Sequence, residues 1–415
     1  MSRLRGIACL ALFALAVSLS GSCRTRAGRA SDADRPAPIL VLVSFDGWRF
    51  DYIDRFATPH LRALAARGAR ARALIPSFPV LTFPNHYTIV TGLYPAHHGI
   101  VANTMQDPAM PARFSMSADT AKDAAWWGGE PLWATAIRQG RRAATMFWPG
   151  TEAAIGGVRP DAWRPYDKAF ATPRRVEQVV EWLAQPEGAR PDFVSVYFDE
   201  VDTAGHDQGV DSPELAAAVS HLDDALGQIV AAIARLRLDD RTTIVVVSDH
   251  GMAPLSPSRV VYLDDYVDPE RVDILESTGM LAAAPKDGDV AGLYRSLHGR
   301  DPALAVYTRD TLPARLHYGG SPRIAPVIGI PEQGWAVTTR ARLAARPLQA
   351  ATHGFEPRDP LMGAVFVAAG PRIRRGLVVA EFENVEIYEF LCDVLRLQPA
   401  KNDGRRGFVS GQLTR

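Results

Sequence analysis

The sequence is poor in the features that mark a disulfide scaffold, a membrane-spanning protein or a polyanion binder. It holds three cysteines in 415 residues. Cys9 and Cys23 fall near the N-terminus, which leaves Cys392 alone in the body of the chain and excludes an internal disulfide there. The apolar run from Ile7 to about Leu19 falls short of the ~20 residues that a membrane span needs. Neither sign of charge is in excess, with 46 basic and 46 acidic residues. No field for a nucleic-acid polymer is implied. Low-complexity tracts and fixed-period repeats are also lacking.

What is present is enough apolar residue, 47% of the chain, for one large domain with insertions or for two domains. The first residues have a targeting character. Arg3 and Arg5 precede the apolar run, and small residues follow it to Leu19-Ser20-Gly21-Ser22-Cys23. That stretch is similar to a lipoprotein box, with its leucine one position further from the cysteine than usual. Ala27-Gly28-Arg29-Ala30 offers an alternative cleavage region. Residues 1–30 therefore read as a leader and linker. The expectation is an exported, periplasmic protein, with a lipid anchor at Cys23 as one alternative.

From Pro38 onward, apolar strands alternate with capped amphipathic helices. Pro38 to Phe45, Phe193 to Phe198 and Thr242 to Ser248 are continuous β-rich runs, as suits strands buried on both faces of a parallel sheet. Ala143 to Trp148 and Met362 to Ala369 read as further strands. Helices are expected from Thr58-Pro59 to Gly68, Glu130-Pro131 to Gly140, Thr172-Pro173 onward and Ser212-Pro213 onward. The last helix is expected over Val385 to Leu397, with Asn384 as its cap. The pattern predicts an α/β fold with a doubly wound, mostly parallel sheet and helices on both faces. Core residues 38–252 and 346–409 flank a Pro- and Gly-richer inserted subdomain at 253–345.

Three of the core strands lead into an aspartate: Asp46, Asp202 and Asp249. In open α/β sheets, groups beyond the carboxyl ends of the strands converge on one edge. Asp202 and His206 are four apart, which puts both on one face of a coiled segment. Asp249 and His250 are adjacent where the chain leaves the sheet, and His353 precedes another strand. Thr82 is expected at the N-cap of a short helix running from Phe83 toward Gly92, against unpaired N–H groups and the positive end of the helix dipole. That position favours an alkoxide and a bound phosphate. Six Asp/His side chains and one hydroxyl divide into two sites of three protein ligands each, with the threonine completing one. Asp and His without Cys suit catalytic Zn²⁺, and two such ions about 4 Å apart clamp the oxygens of a phosphoryl displacement.

The motifs that carry this chemistry are Ser44-Phe45-Asp46-Gly47, Thr82-Phe83-Pro84-Asn85-His86-Tyr87 and Gly99-Ile100-Val101-Ala102-Asn103-Thr104-Met105. They continue with Asp199-Glu200-Val201-Asp202-Thr203-Ala204-Gly205-His206, Ser248-Asp249-His250-Gly251-Met252 and Thr352-His353-Gly354. With them the chain resembles the nucleotide pyrophosphatase/phosphodiesterase family of the alkaline phosphatase superfamily, and more specifically its bacterial exported members, from about Ile39 to Gly404. The resemblance implies one zinc on Asp46, Thr82, Asp249 and His250 and a second on Asp202, His206 and His353. It implies Thr82 as a nucleophile that becomes nucleotidylated and Asn103 as a donor to a non-bridging phosphate oxygen. Phe83, Tyr197 and Tyr166 match positions that stack or pack the substrate, a nucleotide or another small phosphodiester. One departure is Phe355-Glu356-Pro357 after His353-Gly354, where the family often has Tyr-Asp.

A sulfatase would need Cys or Ser followed by x-Pro-x-Arg at the Thr82 position, and the residues here exclude it. A phosphomonoesterase or a phosphocholine or phosphonate hydrolase of the same superfamily is the alternative activity. A zinc-bearing protein that only binds is the alternative class, disfavoured because all seven ligand positions are kept. Arg49, in the loop after Asp46, is the one cation positioned by sequence to favour a monoester.

Overall fold

The computed structural model describes residues 37–414, so the leader and Cys23 lie outside the described residues. Eight strands make the main sheet: β1 (Ile39–Phe45), β2 (Ala69–Ala71), β3 (Ala143–Met146), β4 (Ala162–Arg164), β5 (Phe193–Phe198), β6 (Thr242–Val247), β7 (Phe366–Ala369) and β8 (Leu377–Val379). Their spatial order is β8-β2-β7-β6-β1-β5-β3-β4. All neighbours pair in parallel except β7, which runs against both β6 and β2. The sheet is therefore doubly wound and mostly parallel.

β1 sits between β5 and β6 and is buried along its whole length. Its side chains alternate between faces, as the two-residue period of a strand requires. Leu40 and Leu42 join one core with α2 (Thr82–Thr91), α3 (Leu132–Arg138) and α7 (Ile387–Leu395). Val41 and Val43 join the other with α1 (Pro59–Arg67), α4 (Thr172–Leu183) and α6 (Pro213–Arg235). The α6 stripe of Leu215, Val219, Leu222, Leu226, Ile229 and Ile233 is buried, and each such side chain contributes roughly 1.5–3 kcal/mol by leaving water. Ser212 caps this helix by accepting the Leu215 N–H at 3.1 Å. Among the described residues no helix is long and apolar enough to cross a membrane.

Within residues 253–345 the chain builds a separate antiparallel sheet of four strands, in the order Val272–Glu276, Leu281–Pro285, Val327–Pro331, Leu304–Thr308. It has an apolar cluster of its own around Val261, Leu281, Leu293 and Val327.

Several expected boundaries move. The run from Ala143 stops at Met146, because Phe147 turns the chain with φ 63°. The run from Met362 is a strand only from Phe366, since Pro360–Met362 coil into a 3₁₀ turn. The three-residue strands β2, β4 and β8 are too short to show a period in sequence. A final helix, Phe408–Leu413, follows the one expected to be last. Asn384 is not a helix cap either. It begins a 3₁₀ turn ahead of α7, and its side chain is fully buried. Its Oδ1 accepts the Ser77 hydroxyl, and its Nδ2 donates to Asn85 Oδ1, both at 2.8 Å. Asn85 also accepts the Ser77 N–H and donates to the carbonyls of Pro79 and Leu81. Three buried polar side chains thus hold the approach to Thr82 in one shape.

Asn384→Ala leaves the Ser77 hydroxyl without its acceptor in a dry place and takes one of two donors from Asn85 Oδ1, which keeps the Ser77 N–H. Such an orphaned group costs about 1–3 kcal/mol, so thermal or urea unfolding should show a clear loss of stability. An unchanged transition would mean that water replaces the amide without penalty.

A candidate metal centre and active site

The parallel strands end together, and that delivers the acids. Asp46 directly follows β1, and its N–H still bonds the Phe198 carbonyl of β5 at 2.9 Å. Gly47 then turns with φ 69°, and an added Cβ would lie 2.8 Å from Asp202 Cα. Only glycine lets Asp46 and Asp202 come this close. Asp202 lies in the first turn of α5 (Glu200–Gln208), which begins just after β5, and His206 follows it one turn later. Asp249 and His250 leave the end of β6, both fully buried. His353 arrives from the segment that precedes β7.

The donor atoms face one another. His206 Nε2 lies 3.4 Å and His353 Nε2 3.9 Å from Asp202 Oδ1. His250 Nε2 lies 2.9 Å from Asp249 Oδ2 and 3.6 Å from Asp46 Oδ1. Thr82 Oγ1 is 3.5 Å from His250 Nε2. Ligands about 2.0–2.1 Å from one tetrahedral ion lie roughly 3.3 Å from each other, and these separations bracket that value. The sets Asp202/His206/His353, Asp46/Asp202/His250 and Asp46/His86/Asp249 each have ligand atoms within 4.8 Å. Asp202 thus belongs to one set with the two histidines expected beside it and also reaches the neighbouring set.

Two further observations favour cations here. Asp46 Oδ1, Asp202 Oδ1 and Asp249 Oδ2 are buried without a hydrogen-bond partner, which natural proteins rarely tolerate. Each of the three histidines predicted as ligands also has its Nδ1 against a carbonyl: His206 at Ala351 O, His250 at Gly251 O and His353 at Val80 O, at 2.9, 3.0 and 2.7 Å. That fixes the tautomer and leaves every Nε2 lone pair aimed into the cluster, the usual support of a metal-bound imidazole.

Electrostatics agree with the geometry. Burial raises the Asp46 carboxyl well above its ordinary range, and Asp249 and Asp202 raise it further. Burial also raises Asp202. It pushes Asp249 the same way, but His250 and His86 outweigh it and hold that carboxyl below the usual range. Burial, with His250 and His206 nearby, drives His353 well below the ordinary imidazole value. A divalent cation would relieve the strain that three crowded acids create.

Thr82 is not the N-cap of its helix. Leu81 takes that place in extended conformation (φ −128°, ψ 154°), and its carbonyl accepts the Asn85 N–H. Thr82 is the first residue inside α2, and its half-buried hydroxyl is free of capping duty and points to His250. Asn103 Oδ1 accepts the Phe83 N–H at 3.0 Å. Only an oxygen can accept there, so the amide orientation is settled and Nδ2 is left as a donor. Phe83 is half-buried, with its ring 6.0 Å from Trp127 and 6.1 Å from Phe114. Tyr166 is exposed, donates to Asp199 Oδ2 at 2.9 Å and meets the Tyr197 ring edge-on at 6.3 Å. Arg49 does not reach toward Thr82. Its guanidinium is bound to both Asp51 oxygens and to the Met252 carbonyl.

Two supports were not assigned from sequence. Tyr197 packs near the site as expected, but its hydroxyl donates to Asp46 Oδ2 at 2.5 Å. His86 is fully buried behind the cluster, with Nδ1 donating to Thr82 O at 2.9 Å and Nε2 accepting the Ser44 hydroxyl at 2.7 Å. Its four-residue spacing from Thr82 was the available signal. Tyr197→Phe frees the second oxygen of Asp46. It should weaken divalent-metal binding about 10- to 100-fold, as loss of a ligand's support typically does, in a titration against a competing chelator. Unchanged affinity would remove Tyr197 from the ligand support.

Comparison with known proteins points the same way. The model of the type I phosphodiesterase/nucleotide pyrophosphatase family matches residues 40–356. A venom phosphodiesterase of Crotalus durissus collilineatus is 37% identical over 386 residues, covering 90% of this chain and 46% of that protein. An uncharacterised pyrophosphatase/phosphodiesterase of Schizosaccharomyces pombe is 36% identical over 383 residues, covering 88% of this chain and 78% of that one. The chain spans about half the length of the venom enzymes and mammalian relatives it matches. Among solved structures, murine ectonucleotide pyrophosphatase/phosphodiesterase 5, as an inactive threonine-to-alanine variant with AMP, superposes with a TM-score of 0.86. It shares 31% identity, and the match covers 91% of this chain and all of that one. With its doubly wound sheet, its Asp/His clusters and these likenesses, the chain belongs to the type I phosphodiesterase/nucleotide pyrophosphatase family.

Proposed function

We propose that this chain hydrolyses phosphodiester and nucleotide pyrophosphate bonds of small molecules through a covalent threonine intermediate. In this reading two zinc ions serve the site, one on Asp46, Thr82, Asp249 and His250 and one on Asp202, His206 and His353. The observation that carries it is the set of three buried, unpartnered carboxylate oxygens facing three tautomer-locked imidazoles, with the Thr82 hydroxyl at their edge. Bound zinc would lower the pKa of a coordinated oxygen and offset charge on the phosphoryl group. The Thr82 hydroxyl gives up its proton to solvent as Oγ attacks phosphorus. The P–O bond to the leaving group breaks with its electron pair going to the leaving oxygen, which departs as an anion or takes up a proton from solvent, and a nucleotidyl ester remains on the threonine. Asn103 Nδ2 donates to a non-bridging phosphate oxygen, while its Oδ1 stays tied to the Phe83 N–H. The water that releases the product is assigned to the side of Asp202 and His206, the more exposed of the clustered Asp and His side chains.

Phe83 and Tyr166, both partly exposed, are assigned to the apolar or base portion of the substrate, with Tyr197 behind them. The AMP held by the murine relative supports a nucleotide as one such substrate. Diesters should be preferred over monoesters. A monoester carries extra negative charge that a specialised site meets with cationic donors, and Arg49 is committed elsewhere. An exported, periplasmic setting, suggested by residues 1–30, completes the proposal.

Thr82→Ala should keep the fold and most of the bound metal while lowering kcat by several orders of magnitude, and Thr82→Ser should retain part of the activity. Near wild-type turnover by purified Thr82→Ala would refute the covalent route. Chelation should silence the wild type, with recovery on adding Zn²⁺. The nitrophenyl ester of a nucleotide should exceed nitrophenyl phosphate in kcat/KM by at least about a hundredfold, or roughly 2.7 kcal/mol of transition-state binding. A ratio near one would favour the monoesterase alternative.

A further inference from the structure

The Asn103 amide is tied to the Phe83 N–H at 3.0 Å, and its backbone is held separately. It lies in a loop between the turn at Gly99 and the short strand Thr104–Gln106, and its carbonyl accepts the Met116 N–H at 2.9 Å. The group that holds the next peptide comes from far along the chain. Glu276 ends the first strand of the second sheet, at an irregularity between Ile274 and Glu276. Its Oε1 accepts the Thr104 N–H at 2.6 Å, and the Asn103 N–H also faces this carboxyl. Burial raises the Glu276 carboxyl to about 7 against those N–H groups and the Arg342 charge. Arg342 itself is engaged by Ser277 Oγ and the Ile274 carbonyl.

Three residues later the same segment meets the metal cluster. A methyl group on Gly279 would lie 1.7 Å from the His353 carbonyl oxygen, so the two backbones are in direct contact. Thr278, between them, takes φ 86°, a conformation that β-branched residues avoid. It is pinned on both sides by Val337, through Thr278 N to Val337 O at 2.7 Å and Val337 N to Thr278 O at 3.0 Å. Residues 276–279 therefore form a rigid bracket between the Asn103 loop and the His353 segment.

We infer that Glu276 is a positioning residue, contributed by the second sheet, that holds the Asn103 amide at the distance from the metal cluster that phosphoryl transfer needs. The inference rests on the donor role proposed for Asn103. It makes the second sheet part of the catalytic apparatus, although it supplies none of the seven ligand positions. The carboxylate acts as a hydrogen-bond acceptor, so a neutral acceptor of the same length should serve.

The test combines Glu276→Ala, Glu276→Gln, Asn103→Ala and the double alanine variant, assayed on the nitrophenyl ester of a nucleotide with metal content measured on each. Glu276→Ala should lower kcat about 10- to 100-fold, since a misplacement near 1 Å can cost that much. KM should stay within about threefold and bound metal should be unchanged. Glu276→Gln should recover most of the loss, and it serves as the readout if the alanine variant does not fold. In the Asn103→Ala background, removing Glu276 should cost no more than about twofold, because the two act as one unit. Independent, multiplicative losses would overturn the inference, as would a Gln variant as impaired as Ala or a loss of metal that accounts for the fall in rate. If Asn103→Ala is costly and Glu276→Ala is silent, only the Glu276 inference falls. If Asn103→Ala is itself silent, the donor role falls and takes the inference with it.

Discussion

Three carboxylates share a volume that water barely reaches, and most of the site answers to that fact. Ligand oxygens of Asp46 lie within 4.8 Å of those of Asp202 and of Asp249. At that distance, two unit charges repel by roughly 3–4 kcal/mol for an effective dielectric near 20. Burial adds its own penalty to each ionised form. A fold that forces such groups together needs a compensating positive charge, and the surrounding hydrogen bonds leave three oxygens open for it.

The sheet explains why the groups meet. β1, β5 and β6 run in parallel and in register, with Ser44 level with both Tyr197 and Val247. The acids that follow them emerge side by side. What parallel geometry cannot do is orient them. That task falls to an outer layer of neutral donors and acceptors: Tyr197 on Asp46, Ser248 and the Gly47 N–H on Asp249, and three backbone carbonyls on the histidines. His86 reaches both Ser44 and the Thr82 carbonyl, coupling the end of β1 to the start of α2. The Asn85–Ser77–Asn384 network fixes the other side of the same loop. Each link is a modest hydrogen bond, but together they leave Thr82 and the ligands few alternative positions.

The second sheet has a bearing on this arrangement that its distance in sequence hides. It packs an apolar cluster of its own, yet its first strand ends on the Asn103 loop and the turn that follows lies against His353. Its contacts there are the Glu276 carboxylate on a backbone N–H and the close backbone approach of Gly279 to the His353 carbonyl. These are stiff, and they do not advertise themselves as chemical motifs.

Much of this protein was legible in residue pattern alone. Continuous apolar runs at β1, β5 and β6 announced a buried parallel sheet, and an Asp at the end of each announced the edge where chemistry would sit. Those features are local, governed by side-chain period and strand-end position, so a linear sequence carries them. The short edge strands, the place of Thr82 inside its helix, the buried role of Asn384 and the hydroxyl of Tyr197 on Asp46 were not legible. Each depends on a partner remote in sequence or on a single backbone angle. Tyr197 and Asp46 are 151 residues apart, and Asn384 and Asn85 are 299 apart. The sequence by itself determined which chemical groups the protein possesses and on which strands they ride. Only the tertiary structure decided which oxygen of Asp46 and of Asp249 is spent on support and which is left open for a cation, because that choice is made by hydrogen bonds between segments that meet only after folding.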